Sequence, residues 1–424
     1  MSFEMDEMNK RRQERQKKQE ERLRQEQKTR VRLVIALVIL VLCAILIAAV
    51  ALGGTSLTPA ETTEATTMPV ETTLPPETEP QEEQTVVTIA AAGDLNITDA
   101  VVAAGGLNYD YTNTFMDVLP LLAEADLTVM NFEGNVCGLP YGKDSAPQQL
   151  LTALKGVGVD MLQLANSKAI NRGVSGLNAT VKNVRAAGMA CVGAVAEGET
   201  PGAYVIRYVR GVKIAIVAFT KGMDGMAMPA GSEELVNILY NDYASTYKSV
   251  NTKAVTRLLR QVQEESPDIT IALLHWGSEY SDVHSKSQAT IRDLMFKEGV
   301  DAIIGTHPHY VQEMVFDEEA GTFVAYSLGD FFGDANRSGT AYSIILELEI
   351  TKDNTSGITK VTGFHYTPIY TVEDDTGLLR VVRLSEAIAA YNDKRIGRVN
   401  EETYENMLYG LKRIESRIHP ETEE

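Results

Sequence analysis

The sequence predicts a mixed α/β body carried on one membrane-spanning helix and an extended stalk, and three observations predict it. Twenty consecutive apolar residues run from Leu33 to Leu52 without a charge. Gly54 to Thr85 then holds ten Thr, seven Glu and five Pro, with neither Lys nor Arg. From Val86 onward short apolar runs alternate with stretches of helical periodicity, the pattern of a sheet flanked by helices. A chain of 424 residues has room for two or three domains, and its 44% hydrophobic and 23% charged residues exclude both a wholly disordered chain and a polytopic membrane protein.

Residues 1–32 are rich in Lys and Arg, and the positive-inside rule assigns them to the cytoplasm as a solvated basic tail. The apolar run, taken as 33–53, spans about 30 Å as a helix, the thickness of a bilayer core. It exceeds the roughly 7–15 residues of a cleaved signal's apolar segment, so it reads as a single-pass anchor with the C-terminal body outside the cell. The 54–85 stretch cannot bury enough apolar surface to offset chain entropy and serves as a stalk. The body then divides into 86–350 and a C-terminal extension, 351–424, expected as a hairpin followed by helices from 384.

Within the body the predicted strands are 86–92, 127–131, 160–165, 212–219, 269–274, 301–305 and 324–328. The predicted helices are 112–125, 146–156, 174–187, 250–265 and 287–298; Gly188 and Gly299 follow the third and fifth as C-terminal stops. Formal charge is −19, and the acidity lies in the body, which excludes nucleic acid as its partner. Three cysteines without CxxC spacing exclude a disulfide framework and a thiolate zinc site, and Cys43 lies inside the apolar run, leaving Cys137 and Cys191.

Polar residues gather where the strands end. Asp94 follows the first strand, Glu133 the second, Asn166-Ser167-Lys168 the third, His275 the fifth, and His307 and His309 the sixth. Ligands of open α/β sheets bind outside the carboxyl ends of the strands, so five strands deliver carboxylates, amides and imidazoles to one rim. Imidazole with carboxylate is a ligand set for Mn, Fe or Zn. Singly, Asp94 would be a helix cap, Glu133 a surface group and His275 a hydrogen-bonded core histidine. His307-Pro308-His309 is harder to dismiss: if Pro308 keeps the segment extended, both imidazoles point the same way. Trp276 and Tyr280 offer stacking surfaces at the rim, and Glu279 and Asp330 lie beside them as candidate substrate contacts.

These residues fall in the motifs Gly93-Asp94, Asn131–Glu133, Leu164–Gly173 (LANSKAINRG), His275–Tyr280 (HWGSEY), Gly305–His309 (GTHPH) and Tyr326–Phe331 (YSLGDF). Over about residues 87–335 they resemble, in order, the motifs of the bacterial poly-γ-glutamate capsule biosynthesis family of CapA type, which is similar to the calcineurin-like metallophosphoesterases. The resemblance implies a two-sheet sandwich flanked by helices, a metal centre at the strand ends, a cell-surface location, and a role in making or exporting an anionic poly-γ-glutamate polymer with other capsule-synthesis subunits. The metal set it implies is Asp94, Glu133, Asn166, His275, His307 and His309.

The sequence departs from that family at Asn166-Ser167-Lys168, which stands where Asn-Asn-His is usual, and at Asn171, where Asp is usual. Ser167 replaces the metal-bridging Asn, and Lys168 replaces the His that meets a substrate oxyanion. Asp330 stands where the family has Asn. Two functions therefore follow. In a metal-dependent hydrolase, the metal would polarise a phosphoryl or acyl oxygen, Lys168 would stabilise developing charge and His309 would donate a proton. In a non-catalytic assembly subunit, the same cleft, with or without metal, would bind the polymer or a partner protein. The degraded third motif favours the second, and the acidic body requires a local basic pocket or a bridging cation to hold a polyanion.

Overall fold

In the computed structural model the structure describes residues 83–335, 337–374, 377–392 and 400–418. The stretches expected as a basic tail and a membrane helix, and nearly all of the expected stalk, lie outside the described residues. The chain runs β1 (Gln84–Asn96), α1 (Asp99–Ala103), α2 (Leu119–Ala123), β2 (Leu127–Glu133), α3 (Gln148–Gly156), β3 (Met161–Gln163), α4 (Gly173–Ala186), β4 (Ala190–Val192), β5 (Tyr204–Val209) and β6 (Val212–Thr220). It continues with α5 (Thr252–Glu264), β7 (Ile269–His275), α6 (Lys286–Lys297), β8 (Ala302–Thr306), β9 (Met314–Asp317), β10 (Thr322–Ala325) and β11 (Asp330–Phe332). The last elements are β12 (Tyr342–Asp353), β13 (Thr359–Glu373), β14 (Leu379–Arg383), α7 (Leu384–Asn392) and α8 (Glu401–Ile418).

Two sheets form. The first has the order β14-β13-β12-β1-β2-β3-β4, with β11 also paired to β1; the second has the order β5-β6-β7-β8-β10-β9. β1, β2, β3 and β4 pair in parallel with one another, as do β6, β7, β8 and β10, whereas β12 is antiparallel to both β1 and β13, β13 is antiparallel to β14, and the edge strands β5 and β9 are antiparallel to β6 and β10. Parallel neighbours end at the same edge of a sheet, which is why polar residues far apart in sequence arrive together.

The alternation along β7 shows how the layers are made. Ile269, Ile271 and Leu273 join the core between the sheets, together with Val87, Ile89 and Leu95 of β1. Ala272 and Leu274 point the other way, against Leu258 and Leu259 of α5 and Ile291 and Met295 of α6. A strand buried on both faces loses the hydrophobic/polar alternation of a half-exposed one and becomes a continuous apolar run. The parity of Ile271 and Leu273 carries on to His275, so His275 faces the space between the sheets at their ends.

Several sequence expectations are corrected. Helix 112–125 is reduced to a 3₁₀ turn, Met116–Val118, and α2. Pro120 lacks an N–H and is tolerated only in a first turn, so the helix begins beside it rather than running through it. The strand expected at 160–165 is only β3, and the one expected at 324–328 is the earlier β10. The short strands β4, β9 and β11 and the longer β5 and β12 were not expected. The extension does contain antiparallel strands, and α7 begins at Leu384. Gly188 and Gly299 have φ of 82° and 96°, the left-handed backbone of a helix stop.

Cys137 and Cys191 are free thiols. Burial pushes the Cys191 thiol up to about 12, and only 8% of the residue is exposed. Alkylation with iodoacetamide at pH 8, read by peptide mapping, is therefore expected to modify half-buried Cys137 and to leave Cys191 intact until the protein is unfolded. Equal labelling of both in the native protein would contradict this packing.

Candidate metal centre

Asp94 sits beyond a register shift in β1, and its backbone N–H donates to Gly329 O at 3.0 Å. Its Oδ1 accepts from Asn131 Nδ2 at 2.5 Å and its Oδ2 accepts from the His307 backbone N–H at 2.9 Å. Glu133, the last residue of β2, accepts from the Ser167 hydroxyl. His275 closes β7 with Nε2 3.6 Å from Glu133 Oε1 and Nδ1 3.7 Å from Asp94 Oδ1. The Thr306 hydroxyl lies 3.2 Å from His275 Nδ1 and can accept its proton, leaving the Nε2 lone pair facing Glu133.

His309 lies 2.6 Å through Nδ1 from Asp330 Oδ1 and 3.9 Å from Asp94 Oδ2. Ligand atoms of Glu133, His307 and His309 lie within 4.8 Å of one another, as do those of Asp94, His309 and Asp330. All six of Asp94, Glu133, His275, His307, His309 and Asp330 are buried. One pocket between the two sheets thus gathers side chains from β1, β2, β7, the loop after β8, and β11.

The electrostatics are those of a carboxylate cluster short of positive charge. Burial, then the neighbouring Glu133 carboxylate, pushes Asp94 up to about 8. Burial likewise raises Asp330, against the pull of His309. Burial would raise Glu133 too, but the positive field of His309 and Lys168 outweighs it and holds the carboxyl below its ordinary value. Burial opposes charge on His309, yet Asp330, Glu133 and Asp94 keep the imidazole protonated well above the usual range. His275 and His307 are held neutral, first by burial and then by neighbouring positive charge.

A divalent cation fits this donor set. Glu133 Oε2 and His275 Nε2 are buried and have no hydrogen-bond partner. Such orphaned polar atoms are costly unless something absent from the protein itself satisfies them. His309 would have to release its proton to ligate, so binding there is coupled to proton release.

The structure treats the other expected residues unevenly. Asn166 is spent as a brace: its Nδ2 donates to Phe132 O at 2.7 Å and Asn131 Oδ1 at 3.3 Å, and its Oδ1 accepts from the Lys168 backbone. Lys168 Nζ is tied to Asn96 Oδ1 and Ile97 O, at the edge of the pocket. Glu279 is exposed on the rim. Trp276 is corrected: it is fully buried, donates Nε1–H to Tyr326 O and stacks on the Tyr326 ring, so it offers no face to a substrate. Asp330 is not on the rim but beneath it, against His309.

The reason given for the His307/His309 pair is also corrected. The segment is not extended, because His307 and His309 have φ of 92° and 59°. The imidazoles converge, with ring centroids 6.0 Å apart, through two left-handed residues that cost backbone strain. No periodicity argument could have found that.

Three participants were missed. Asn131 links Asp94 to His275, standing 3.4 Å from His275 Nδ1. Lys221 follows β6 and reaches His307. Arg337 places its guanidinium 3.6 Å from the centroid of the Tyr280 ring, which also stacks on His309 at 5.3 Å. Lys221 obeys the same strand-end rule that singled out the others; the other two had no signal beyond their motif neighbourhoods.

Comparison with known proteins places this cleft in context. Residues 88–335 match the pattern described as "Bacterial capsule synthesis protein PGA_cap". The chain is 27% identical to a capsule biosynthesis protein CapA of Bacillus anthracis over 65% of this chain and 66% of the relative. It is 25% identical to a PGA biosynthesis protein CapA of Bacillus subtilis over 60% of this chain and 64% of the relative. The matches thus span just under two thirds of these relatives' own lengths. Among solved structures, a hypothetical protein of Thermus thermophilus aligns at TM-score 0.39 and 16% identity over 66% of this chain and 98% of that one. A novel phosphatase of Mycoplasma pneumoniae aligns at TM-score 0.38 and 13% identity over 68% and 94%. Likenesses of that size carry no argument about chemistry.

Proposed function

The chain belongs to the bacterial capsule synthesis protein family, and from that premise we propose that it is a cell-surface component of capsule assembly whose cleft binds an anionic exopolymer, such as poly-γ-glutamate, through a divalent Mn, Fe or Zn ion. One observation carries the reading: Glu133 Oε2 and His275 Nε2 face the same buried space without partners, beside the crowded carboxyls of Asp94 and Asp330. Asp94, Glu133, His275, His309 and Asp330 are the groups that would hold the ion. When bound, it would supply a positive centre for a carboxylate or phosphoryl oxygen. Lys168 and Lys221 flank the pocket, and Arg337 stands over Tyr280 at its mouth, so positive charge is local while the body as a whole is acidic. Such a distribution favours a polyanion at this cleft.

A binding role is favoured over turnover by the residues after β3. Ser167 is engaged with Glu133, and the Lys168 ammonium is held by Asn96 and Ile97, so neither is free to follow a reacting oxygen. A hydrolase reading draws on one observation, the protonated His309 paired with Asp330, a group able to donate a proton to a leaving oxygen. The span at 33–53 and the stalk would hold the body outside the membrane, beside other capsule-synthesis subunits.

Calorimetric titration of poly-γ-glutamate into the full-length chain, with and without Mn²⁺, tests the proposal alongside an assay of a chromogenic phosphodiester. The expected result is binding that requires the ion, with no hydrolysis. Hydrolysis that disappears in His309→Ala would replace the binding role with the hydrolase. Binding unaffected by chelation would remove the cation from the reading.

A further inference from the structure

Lys221 is the first residue after β6, and its backbone N–H donates to His275 O at 2.7 Å, which fixes it beside the metal pocket. Its half-buried side chain turns inward. Nζ lies 3.0 Å from Gly277 O, 3.1 Å from His307 Nε2 and 4.5 Å from the centroid of the Tyr247 ring. Such a position, a carbonyl, an imidazole lone pair and a ring face, is that of a bound cation.

An ammonium has three donors and no lone pair, so across 3.1 Å it can only donate to His307 Nε2. The neutral ring must then carry its own proton on Nδ1, the buried atom that has no partner. With Nε2 accepting and Nδ1 protonated, His307 has no lone pair left for a metal ion. Of the two groups able to converge on an ion, the one containing His307 is therefore a ligand short as long as Lys221 stays in place, while Asp94, His309 and Asp330 need only the His309 proton to leave. Ser167 weakens the same half again, since its hydroxyl occupies Glu133 Oε1.

Charge balance leads to the same place. Three buried carboxylates are offset, with one positive charge to spare, either by two divalent ions or by one divalent ion and two ammoniums. Lys168 and Lys221 are those ammoniums. Adding a second ion to both would bring more positive charge against Lys221, whose further acidic neighbours, Glu279 and Asp224, lie exposed rather than in the buried cluster, and buried like charges are disfavoured.

We infer that Lys221 is a tethered cation standing in for a second metal ion, so that the cleft holds one divalent ion per chain and His307 serves the lysine rather than the metal. The inference rests on the cation-holding reading of the cleft. Its test is a count: the full-length chain is stripped with chelator, loaded with Zn²⁺ or Mn²⁺, dialysed and measured by inductively coupled plasma and native mass spectrometry. One ion is expected in the wild type and two in Lys221→Met, which keeps the stem and removes the charge and the donors. Two ions in the wild type, or one in both proteins, would overturn the inference while leaving a cation site standing. No ion in either would sink the cation reading and the inference with it. Should Lys221→Met fail to fold, long-range ¹⁵N–¹H histidine spectra of the wild type decide: His307 is expected to stay protonated on Nδ1 after metal loading, and metal-induced loss of that tautomer refutes the role of Lys221.

Discussion

Asp94→Asn is expected to weaken divalent-ion binding at least about 100-fold and, in chelator, to make the protein more stable than the wild type. The first half follows from position: Asp94 offers ligand atoms within 4.8 Å of those of His309 and Asp330. Changing residues one step removed from a metal typically costs about 10–100-fold in affinity, so loss of a direct carboxylate costs more. The second half follows from charge. Asparagine keeps an acceptor for the His307 backbone N–H and gives up the one for Asn131 Nδ2, a loss outweighed by removing a carboxyl that is buried against Glu133 and Asp330. Sites built to hold a ligand commonly sacrifice stability in this way.

The pH dependence gives the same claim a sign. Asp94 titrates at about 8 in the folded protein against 3.8 ordinarily. Between those values the unfolded chain has lost the proton and the folded chain has kept it, so the folded state binds more protons and its stability falls as pH rises. Below the ordinary value there is no penalty from this group, and above about 8 the penalty is complete. Chelated wild type should therefore lose at least about 2 kcal/mol relative to Asp94→Asn between pH 5 and pH 8. Denaturant melts of both proteins at the two pH values measure it. A gap that does not change with pH would show that Asp94 is already ionised and compensated in the metal-free protein. Ion affinity should move oppositely, rising with pH as the proton ceases to compete.

The rim of this cleft was legible in the sequence because parallel strands end together. Asp94, Glu133, His275, His307 and His309 each follow or close an apolar run, and pairing of β1 with β2 and of β7 with β8 brings those ends into one line. Lys221 was equally visible by that rule, as the first residue after β6. The floor was not legible. Asp330 belongs to a three-residue strand that exists only because β1 accepts it in parallel pairing, a long-range event with no local signature. The left-handed backbone at His307 and His309 is likewise imposed by surroundings: histidine tolerates it better than most side chains, but it is uncommon for any residue other than glycine. Trp276 looked available because it adjoins His275, but strand parity sends the two side chains to opposite faces.

Gly93→Ala is expected to be among the most damaging single methyls that can be added near the site. A Cβ built on Gly93 would stand 1.8 Å from Gly329 O and 2.9 Å from Gly329 C. Both are backbone atoms, so no side chain can rotate away. The carbonyl in question is the one that accepts from the Asp94 N–H, and β11 pairs with β1 at the adjacent Asp94–Asp330 position. To admit the methyl, β1 and the turn before β11 must separate, which breaks that hydrogen bond and pulls Asp94 away from Asp330. Steric insertion into packed backbone, together with loss of a buried hydrogen bond, lies at the severe end of point mutations, about 4 kcal/mol or more. For a body of this size that is a fall in Tm of about 6 °C or more. Ion binding should decline together with Tm, because one displacement causes both. Gly93→Ala protein that melts with the wild type and binds an ion as tightly would show that β1 and β11 do not approach as closely as this site requires.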